Sequence, residues 1–270
     1  MSMIFAQCNQ KGGCGKSSMT LNLGAALARM GVKVLAVDSD PQANLTMALG
    51  YPQPDELPVT LPMVFQDIID NQMRPGVPTL TLRREYILRA HGMDFVPSSI
   101  ELAALETALI NTISRETVMK RFLSHIRDDY DVILIDCMPS LNVITLNALT
   151  AADKVLVPLQ PQFFSAKGLE MLLATIGGVR QQLNPKLTIG GALITMYDGR
   201  LKFHREVIDI VESAFGKYFK IFNTKIPVSV RVTETQARGR SIFEYDPSGK
   251  IAEAYGRFAE ELMSGGVVNA

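Results

Sequence analysis

The chain has little of several features that would assign it to a class at once. Its 270 residues include three cysteines, Cys8, Cys14 and Cys137, and no C-x-x-C pair, which argues against a disulfide framework and a structural zinc site. No apolar run approaches the roughly 20 residues that cross a bilayer. The first residues also lack a basic segment followed by a long apolar stretch. We therefore expect a cytoplasmic protein with reduced thiols.

Net charge is also absent, because 27 Lys and Arg residues balance 27 Asp and Glu residues. Any surface for nucleic acid or membrane must then be a local patch. A hydrophobic content of 47% with 20% charged residues excludes a disordered chain and provides for one large core. We expect residues 1–270 to form a single domain, with 264–270 as a flexible tail.

Short apolar runs rich in Ile, Val and Leu alternate with segments of helical spacing. This alternation predicts an α/β fold with a mostly parallel, doubly wound sheet and helices on both faces. The predicted helices include Ser17–Met30 and Ile251–Met263, and the four prolines of residues 51–62 predict a loop. The predicted strands are Met3–Gln7, Lys33–Val37, Met93–Val96, Val132–Ile135, Lys154–Pro158 and Leu187–Ile194.

The segment between the first strand and the first helix reads QKGGCGKSS, from Gln10 to Ser18. Glycines allow successive backbone N–H groups to surround one anion, and the helix that follows adds a positive dipole end. This pattern predicts a phosphate-binding loop (P-loop), in which Lys16 reaches the β- and γ-phosphates, Ser17 ligates Mg²⁺ and Ser18 donates to the α-phosphate. The backbone ligands are predicted at Gly12, Gly13, Cys14 and Gly15.

Carboxylates follow two of the predicted strands. Asp38 and Asp40 stand at the end of the second strand, in the sequence VDSDPQAN. Asp136 ends the apolar run YDVILID, the form of a Walker B element, and we expect it to hold Mg²⁺. Because open α/β sheets bind ligands at the carboxyl ends of their strands, these groups should lie beside the P-loop.

The loop departs from the usual pattern G-x-x-x-x-G-K-[ST], because Gln10 stands where the first glycine would be and Lys11 follows it. With KGGCGKS, DSDPQAN and the DCMPSLN segment from Asp136 to Asn142, the sequence resembles the deviant Walker A ATPases of the SIMIBI class, and specifically the ParA/Soj partition ATPases. The resemblance implies that Lys11 crosses the interface of a nucleotide-sandwich dimer. It also implies that Asp40 orients or deprotonates the attacking water, and that Asp38 supports the metal.

The same resemblance extends over nearly the whole chain and implies two further sets of contacts. Met196 and Pro227 would border the adenine. Residues 199–240 carry nine basic and four acidic side chains, and ParA-like proteins bind DNA nonspecifically with this region. The predicted DNA contacts are Arg200, Lys202, Arg205, Lys225 and Arg231.

The implied function is an ATPase switch that forms a homodimer around ATP and Mg²⁺ and binds nonspecific DNA at the nucleoid. A ParB-like or cargo adaptor protein would release it by stimulating hydrolysis. The first alternative is a MinD-like positioning ATPase, which needs a basic amphipathic helix at the C-terminus, whereas Ile251–Met263 is acidic on balance. An iron–sulfur reductase component and a P-loop kinase for a small molecule are two further alternatives.

Overall fold

The computed structural model describes residues 2–73, 83–110, 112–162 and 165–264, with the side chains of 71–73 and 165–167 excepted. The predicted tail at 264–270 lies outside the described residues beyond Ser264. The described residues form an eight-stranded sheet. Its strands are β1 (Met3–Gln7), β2 (Val34–Ser39), β3 (Leu88–Ala90), β4 (Met93–Val96), β5 (Val132–Cys137), β6 (Lys154–Leu159), β7 (Thr188–Tyr197) and β8 (Ile221–Pro227).

The helices between these strands cover both faces of the sheet. They are α1 (Lys16–Arg29), α2 (Asn44–Ala48), α3 (Leu61–Met73), α4 (Glu101–Leu109), α5 (Val118–Ser124), α6 (Val143–Ala151), α7 (Ser165–Gln182), α8 (Lys202–Phe215), α9 (Val230–Ala237), α10 (Ile242–Tyr245) and α11 (Lys250–Ser264). Residues 51–62 are mostly irregular, as predicted, but hold a 3₁₀ turn at Pro54–Glu56 and the start of α3 at Leu61.

The strand order is β3-β4-β2-β5-β1-β6-β7-β8. Every neighbouring pair is parallel except β3 with β4 at one edge, so the predicted α/β, mostly parallel sheet is confirmed. β1 lies near the centre, between β5 and β6. The loop after β1 is therefore flanked by the carboxyl ends of other strands, which is where open α/β sheets place ligands.

Two apolar layers hold the helices against the sheet. On one face, α1, α2, α10 and α11 pack on side chains such as Phe5 and Leu134. On the other face, helices α3 to α8 pack on side chains such as Ile4 and Ile135. Alternate residues of one strand supply the two layers because successive side chains of a strand point to opposite faces. The core strands consequently read as continuous apolar runs, and this pattern made them recognisable.

Several predicted boundaries and two strands differ from the structure. β2 begins one residue later than predicted and continues to Ser39, and β5 continues to Cys137, so Asp38 and Asp136 lie inside strands rather than after them. Strands β3 and β8 were not predicted. Both are edge strands of the described sheet, and β8 carries the polar residues Asn223, Thr224 and Lys225, which dilute its apolar pattern.

Candidate functional site

The loop between β1 and α1 has the backbone shape of an anion-binding cradle. Gly13 and Gly15 have φ values of 69° and 92°, in the left-handed region that favours glycine. A Cβ atom added at Gly12 or Gly13 would meet no atom of the described protein within 4 Å, so these glycines border open space. The N-terminus of the 14-residue helix α1 follows directly. The loop thus presents backbone N–H groups and a positive dipole end to that space.

Side chains from neighbouring strand ends hold this loop in place. The Thr195 hydroxyl donates to the carbonyl oxygen of Cys14 at 2.8 Å, and Gln160 Nε2 donates to that of Gly13 at 3.3 Å. The Cys14 side chain is fully buried, and burial raises the pKa of its thiol. The Cys14 side chain therefore faces the protein interior, and only its backbone contributes to the anion-binding loop. Sequence reasoning missed Thr195 and Gln160, although both stand at the carboxyl ends of predicted strands.

The two lysines of the loop lie in different environments. The Lys16 side chain is buried, and its Nζ donates to the carbonyl oxygens of Asn9 at 3.3 Å and Lys11 at 3.4 Å. Lys11 stands at the loop entrance, where its Nζ donates to Oε1 of Gln162, an exposed residue after β6. One ammonium group therefore belongs to the interior of the site, whereas the other lies at its surface.

Asp38 and Asp136 lie side by side, because β2 and β5 pair in a register that places one opposite the other. Asp38 is fully buried and accepts hydrogen bonds from the backbone N–H of Thr46 at 2.8 Å and from its hydroxyl at 2.7 Å. Burial raises the pKa of Asp38 to about 7, against the effect of these bonds. The carboxylate thereby holds the start of α2 through Thr46.

Asp136 differs from Asp38 in having no such donors. Both of its carboxylate oxygens are buried without a hydrogen-bond partner in the described structure. Burial raises its pKa well above the usual range, and the neighbouring Asp38 adds to this effect, while the nearby Ser17 hydroxyl and Lys16 oppose it. A buried carboxylate with unused oxygens beside a P-loop serine matches the oxygen donors that Mg²⁺ prefers. Ser17 and Asp136, both predicted metal ligands, are thus brought together.

Asp40 lies at the mouth of the same site. It is almost fully buried, and its Oδ1 accepts a hydrogen bond from the backbone N–H of Gln42 at 2.9 Å. A cavity of about 460 Å³ extends from the loop glycines past Asp40 to Pro139. The cavity also brings in Gln236, whose Nε2 donates to the Ser18 hydroxyl at 2.9 Å. Sequence reasoning missed Gln236, since its helix follows the unrecognised strand β8.

A second cavity of about 280 Å³ adjoins the first, and the two share Gly15, Ser18, Met196 and Gln236. Its other walls are mostly apolar, and they include Pro227. Met196 and Pro227, the two residues predicted to border a base, therefore line a pocket of suitable character. The remaining lining residues are Thr195, Ile226, Val228, Ser229, Val230, Val232, Thr233 and Tyr255.

Comparisons with known proteins agree with this arrangement. Residues 2–189 match the family described as an AAA domain. The sporulation initiation inhibitor protein Soj of Bacillus subtilis (strain 168) is 40% identical over 268 residues, which cover 98% of this chain and 100% of that protein. The chain belongs to the Soj/ParA family of P-loop ATPases.

Two further relatives of this Soj/ParA-family ATPase support the assignment. The chromosome partitioning protein ParA of Caulobacter vibrioides (strain NA1000 / CB15N) is 37% identical over 265 residues, covering 97% of this chain and 94% of that protein. A crystal structure of cobyrinic acid a,c-diamide synthase from Mycobacterium smegmatis, with a bound ATP analogue and magnesium, is 35% identical with a TM-score of 0.80. The match covers 97% of this chain and 95% of that one.

The predicted DNA contacts of the Soj/ParA-family ATPase lie around the carboxyl ends of β7 and β8, and most of them already have partners. The Arg200 guanidinium forms two hydrogen bonds to Asp198, at 2.7 and 3.0 Å. They hold the pKa of that carboxyl to about 2. Arg231 pairs with Asp246. Lys202 contacts Glu206 at 3.4 Å, and Lys225 lies 5.7 Å from the centre of the Tyr197 ring. The fifth predicted contact, Arg205, is exposed on α8.

The C-terminal helix α11 packs against the sheet and α1. Its apolar residues Ile251, Tyr255, Phe258 and Leu262 are all buried. Within the described residues, no helix combines the length and apolar character that a membrane span requires.

Proposed function

We propose that this Soj/ParA-family ATPase is a switch that binds ATP and Mg²⁺, dimerises around the nucleotide and binds nonspecific DNA in that state. A ParB-like or cargo adaptor protein would stimulate hydrolysis and so release the DNA. The observation that carries this proposal is the pair of loop lysines, one buried beneath the loop and one at its surface. A single buried lysine is sufficient to retain a nucleotide, so the second favours contact with another subunit.

The two adjoining cavities fit ATP in size and chemistry. The mostly apolar pocket around Met196 and Pro227 suits a purine ring, and the cavity above the glycines suits the phosphates. Ser17 and Asp136 would hold Mg²⁺, which neutralises phosphate charge. We keep Asp38 as a more distant support for the metal, since its oxygens already accept bonds from Thr46 and Asp40.

Phosphoryl transfer to water needs positioning and charge stabilisation more than covalent chemistry. In the proposed mechanism Lys16 stabilises charge on the β- and γ-phosphates from beneath the loop. Asp40, at the mouth of the phosphate cavity, orients the attacking water or accepts a proton from it. Lys11 would exchange its bond to Gln162 for the phosphates of the partner subunit, so the dimer completes the site.

DNA binding is proposed for the basic region at the carboxyl ends of β7 and β8. Contacts from Lys and Arg to phosphate suffice for sequence-independent binding, and a dimer doubles their number. This makes affinity depend on the nucleotide state. Internal partners such as Asp198 and Asp246 reduce the charge that each subunit offers, which supports a low affinity for the monomer. Nucleoid association would follow from this binding.

The MinD-like alternative gains no support from the described structure. A membrane-binding amphipathic helix needs a free apolar face, whereas the apolar face of α11 is buried in the core.

The proposal is tested by a DNA mobility assay over a salt series with ADP, with ATP and with a nonhydrolysable analogue. We expect binding only in the two ATP-like states, with an affinity that falls as salt rises. Equal DNA binding with ADP and with the analogue would overturn the proposed switch.

A further inference from the structure

A glutamine lies beside the two buried carboxylates at the centre of the sheet. Gln7 is the last residue of β1, and β1 pairs with β5 so that Gln7 is opposite Asp136. Asp136 is in turn opposite Asp38 on β2. The three side chains therefore form one row across neighbouring strands, on the sheet face that α1 covers.

This row contains four buried polar atoms without partners in the described structure. Gln7 is fully buried, and neither its Nε2 nor its Oε1 has a hydrogen-bond partner. The same holds for both carboxylate oxygens of Asp136. Most buried polar groups in proteins are hydrogen-bonded, and each exception calls for an explanation such as an ion or a water. Because the unpaired amide of Gln7 and the unpaired carboxylate of Asp136 lie on adjacent strands, we expect one bound ion to explain both.

The distances across a sheet allow the two groups to meet. Adjacent strands lie about 4.8 Å apart, and the extended side chain of a glutamine spans most of that distance. The Gln7 amide carries two N–H donors, whereas a carboxylate has only acceptors. Donation from Gln7 Nε2 would therefore satisfy one Asp136 oxygen and leave the other for a cation.

We propose that Gln7 is a positioning residue for the divalent cation. When the cation binds, the Gln7 amide donates to the Asp136 carboxylate and fixes the orientation in which Asp136 receives Mg²⁺. The inference rests on the proposed function, because it assumes that Asp136 holds Mg²⁺ at the nucleotide. Groups that orient metal ligands in this way commonly change metal affinity by about 10- to 100-fold when they are removed.

The test is the binding of a fluorescent ADP to Gln7→Met, measured with Mg²⁺ and with EDTA. Methionine keeps the length of the side chain and removes both polar atoms. We expect affinity in EDTA to stay within about twofold of the parent protein, whereas the gain that Mg²⁺ provides falls about tenfold. A merely structural role for Gln7 would change both affinities together or neither, and either result would overturn the inference.

Two matched variants separate this inference from the proposed function. Ser2→Ala removes a different buried polar group without a partner, the Ser2 hydroxyl, next to the opposite end of β1, and should leave the Mg²⁺ effect unchanged. Asp136→Asn should abolish most of the Mg²⁺ effect. If it does not, the proposed metal site itself is wrong. If Asp136→Asn abolishes the effect and folded Gln7→Met retains it, only the role of Gln7 is wrong.

Gln7→Leu provides a second variant of the same position if Gln7→Met unfolds. Circular dichroism and thermal melting without nucleotide establish that each variant is folded before binding is measured. An unchanged Mg²⁺ effect in folded Gln7→Leu contradicts the inference equally.

Discussion

Charged side chains are buried at the centre of the sheet but exposed at its rim, the basic region around the carboxyl ends of β7 and β8. At the centre, Lys16, Asp38 and Asp136 are buried, and burial raises the pKa of both carboxyl groups. At the rim, Arg200 and Arg231 are exposed and paired with nearby carboxylates. Water and salt screen the rim pairs, whereas the central charges have little screening.

The difference shows that the unfavourable buried charge, which a bound ligand can neutralise, is at the centre of the sheet and not at the rim. Asp136 has two unpaired oxygens in the interior, which costs stability until a cation arrives. The rim has no such deficit, because each arginine loses little by exchanging one exposed partner for another. Changes at the centre should therefore affect both nucleotide binding and stability, while changes at the rim should affect DNA binding in small increments.

The largest effect is expected for Lys16→Ala. Removal of a buried ammonium that pairs with phosphates costs about 2–5 kcal/mol of binding free energy. Isothermal titration calorimetry with ADP and Mg²⁺ measures this loss. Lys186→Ala removes an exposed lysine after α7 and should leave the affinity unchanged; a loss below twofold for Lys16→Ala would show that the centre does not hold the phosphates.

The second prediction concerns the stability of Asp136→Asn without nucleotide. The pKa of Asp136 is raised in the folded state, so the ionised unfolded chain gains an advantage as the pH rises above about 4. The penalty is absent at lower pH, where both states are protonated. Asparagine removes it, and we expect Asp136→Asn to exceed the parent protein in stability by about 1–3 kcal/mol at pH 8.

Urea denaturation of the two proteins at pH 5 and pH 8 tests the sign of this prediction. The stabilisation should be larger at pH 8 than at pH 5. If the two proteins differed in stability equally at pH 5 and pH 8, or if the variant were less stable at pH 8, burial of the Asp136 charge would not destabilise the protein.

A smaller effect is expected at the rim for Asp198→Asn. The substitution removes the negative charge that pairs with Arg200 and the Oδ2 acceptor of one of its two hydrogen bonds, and we expect DNA affinity in the ATP state to rise about two- to fivefold. Arg200→Gln should lower the affinity and reduce the slope of log affinity against log salt by about 1. An unchanged slope in Arg200→Gln would remove Arg200 from the DNA surface.

The smallest effect is expected for Ala43→Gly, in the loop between β2 and α2. Ala43 precedes α2 with φ of 50° and ψ of 33°, a left-handed conformation that costs a residue with a Cβ about 1–2 kcal/mol. Glycine removes this strain but loses more entropy on folding. We expect a net stabilisation of about 0.5 kcal/mol, measured by thermal melting, whereas Ala48→Gly, at the last residue of α2, should destabilise the protein.

The sequence predicted the central strands and the P-loop well, and for a physical reason. Buried parallel strands are apolar along their whole length, and a glycine-rich loop before a helix has few other uses. These local patterns need no knowledge of the tertiary structure. The residues Lys16, Ser17, Asp40 and Asp136 were accordingly placed at one site by pattern alone.

The features that could not be predicted from the sequence depend on the register of the strands and on contacts between residues far apart in the sequence. The row of Gln7, Asp136 and Asp38 exists only because two strand pairs align in one register, which no local pattern specifies. The ion pair of Arg231 with Asp246 joins residues from different helices and their flanks, so the basic region looked more available than it is. Edge strand β8 has too few apolar residues to be recognised, and Gln236 was missed with it.

Dimerisation around the nucleotide is measured most directly as the mass of the protein in multi-angle light scattering, with Mg²⁺ and a nonhydrolysable ATP analogue. We expect the parent protein to double in mass, and folded Lys11→Ala with nucleotide bound to stay monomeric. A dimer of Lys11→Ala at the same concentration would show that the surface lysine of the loop does not join two subunits through the nucleotide.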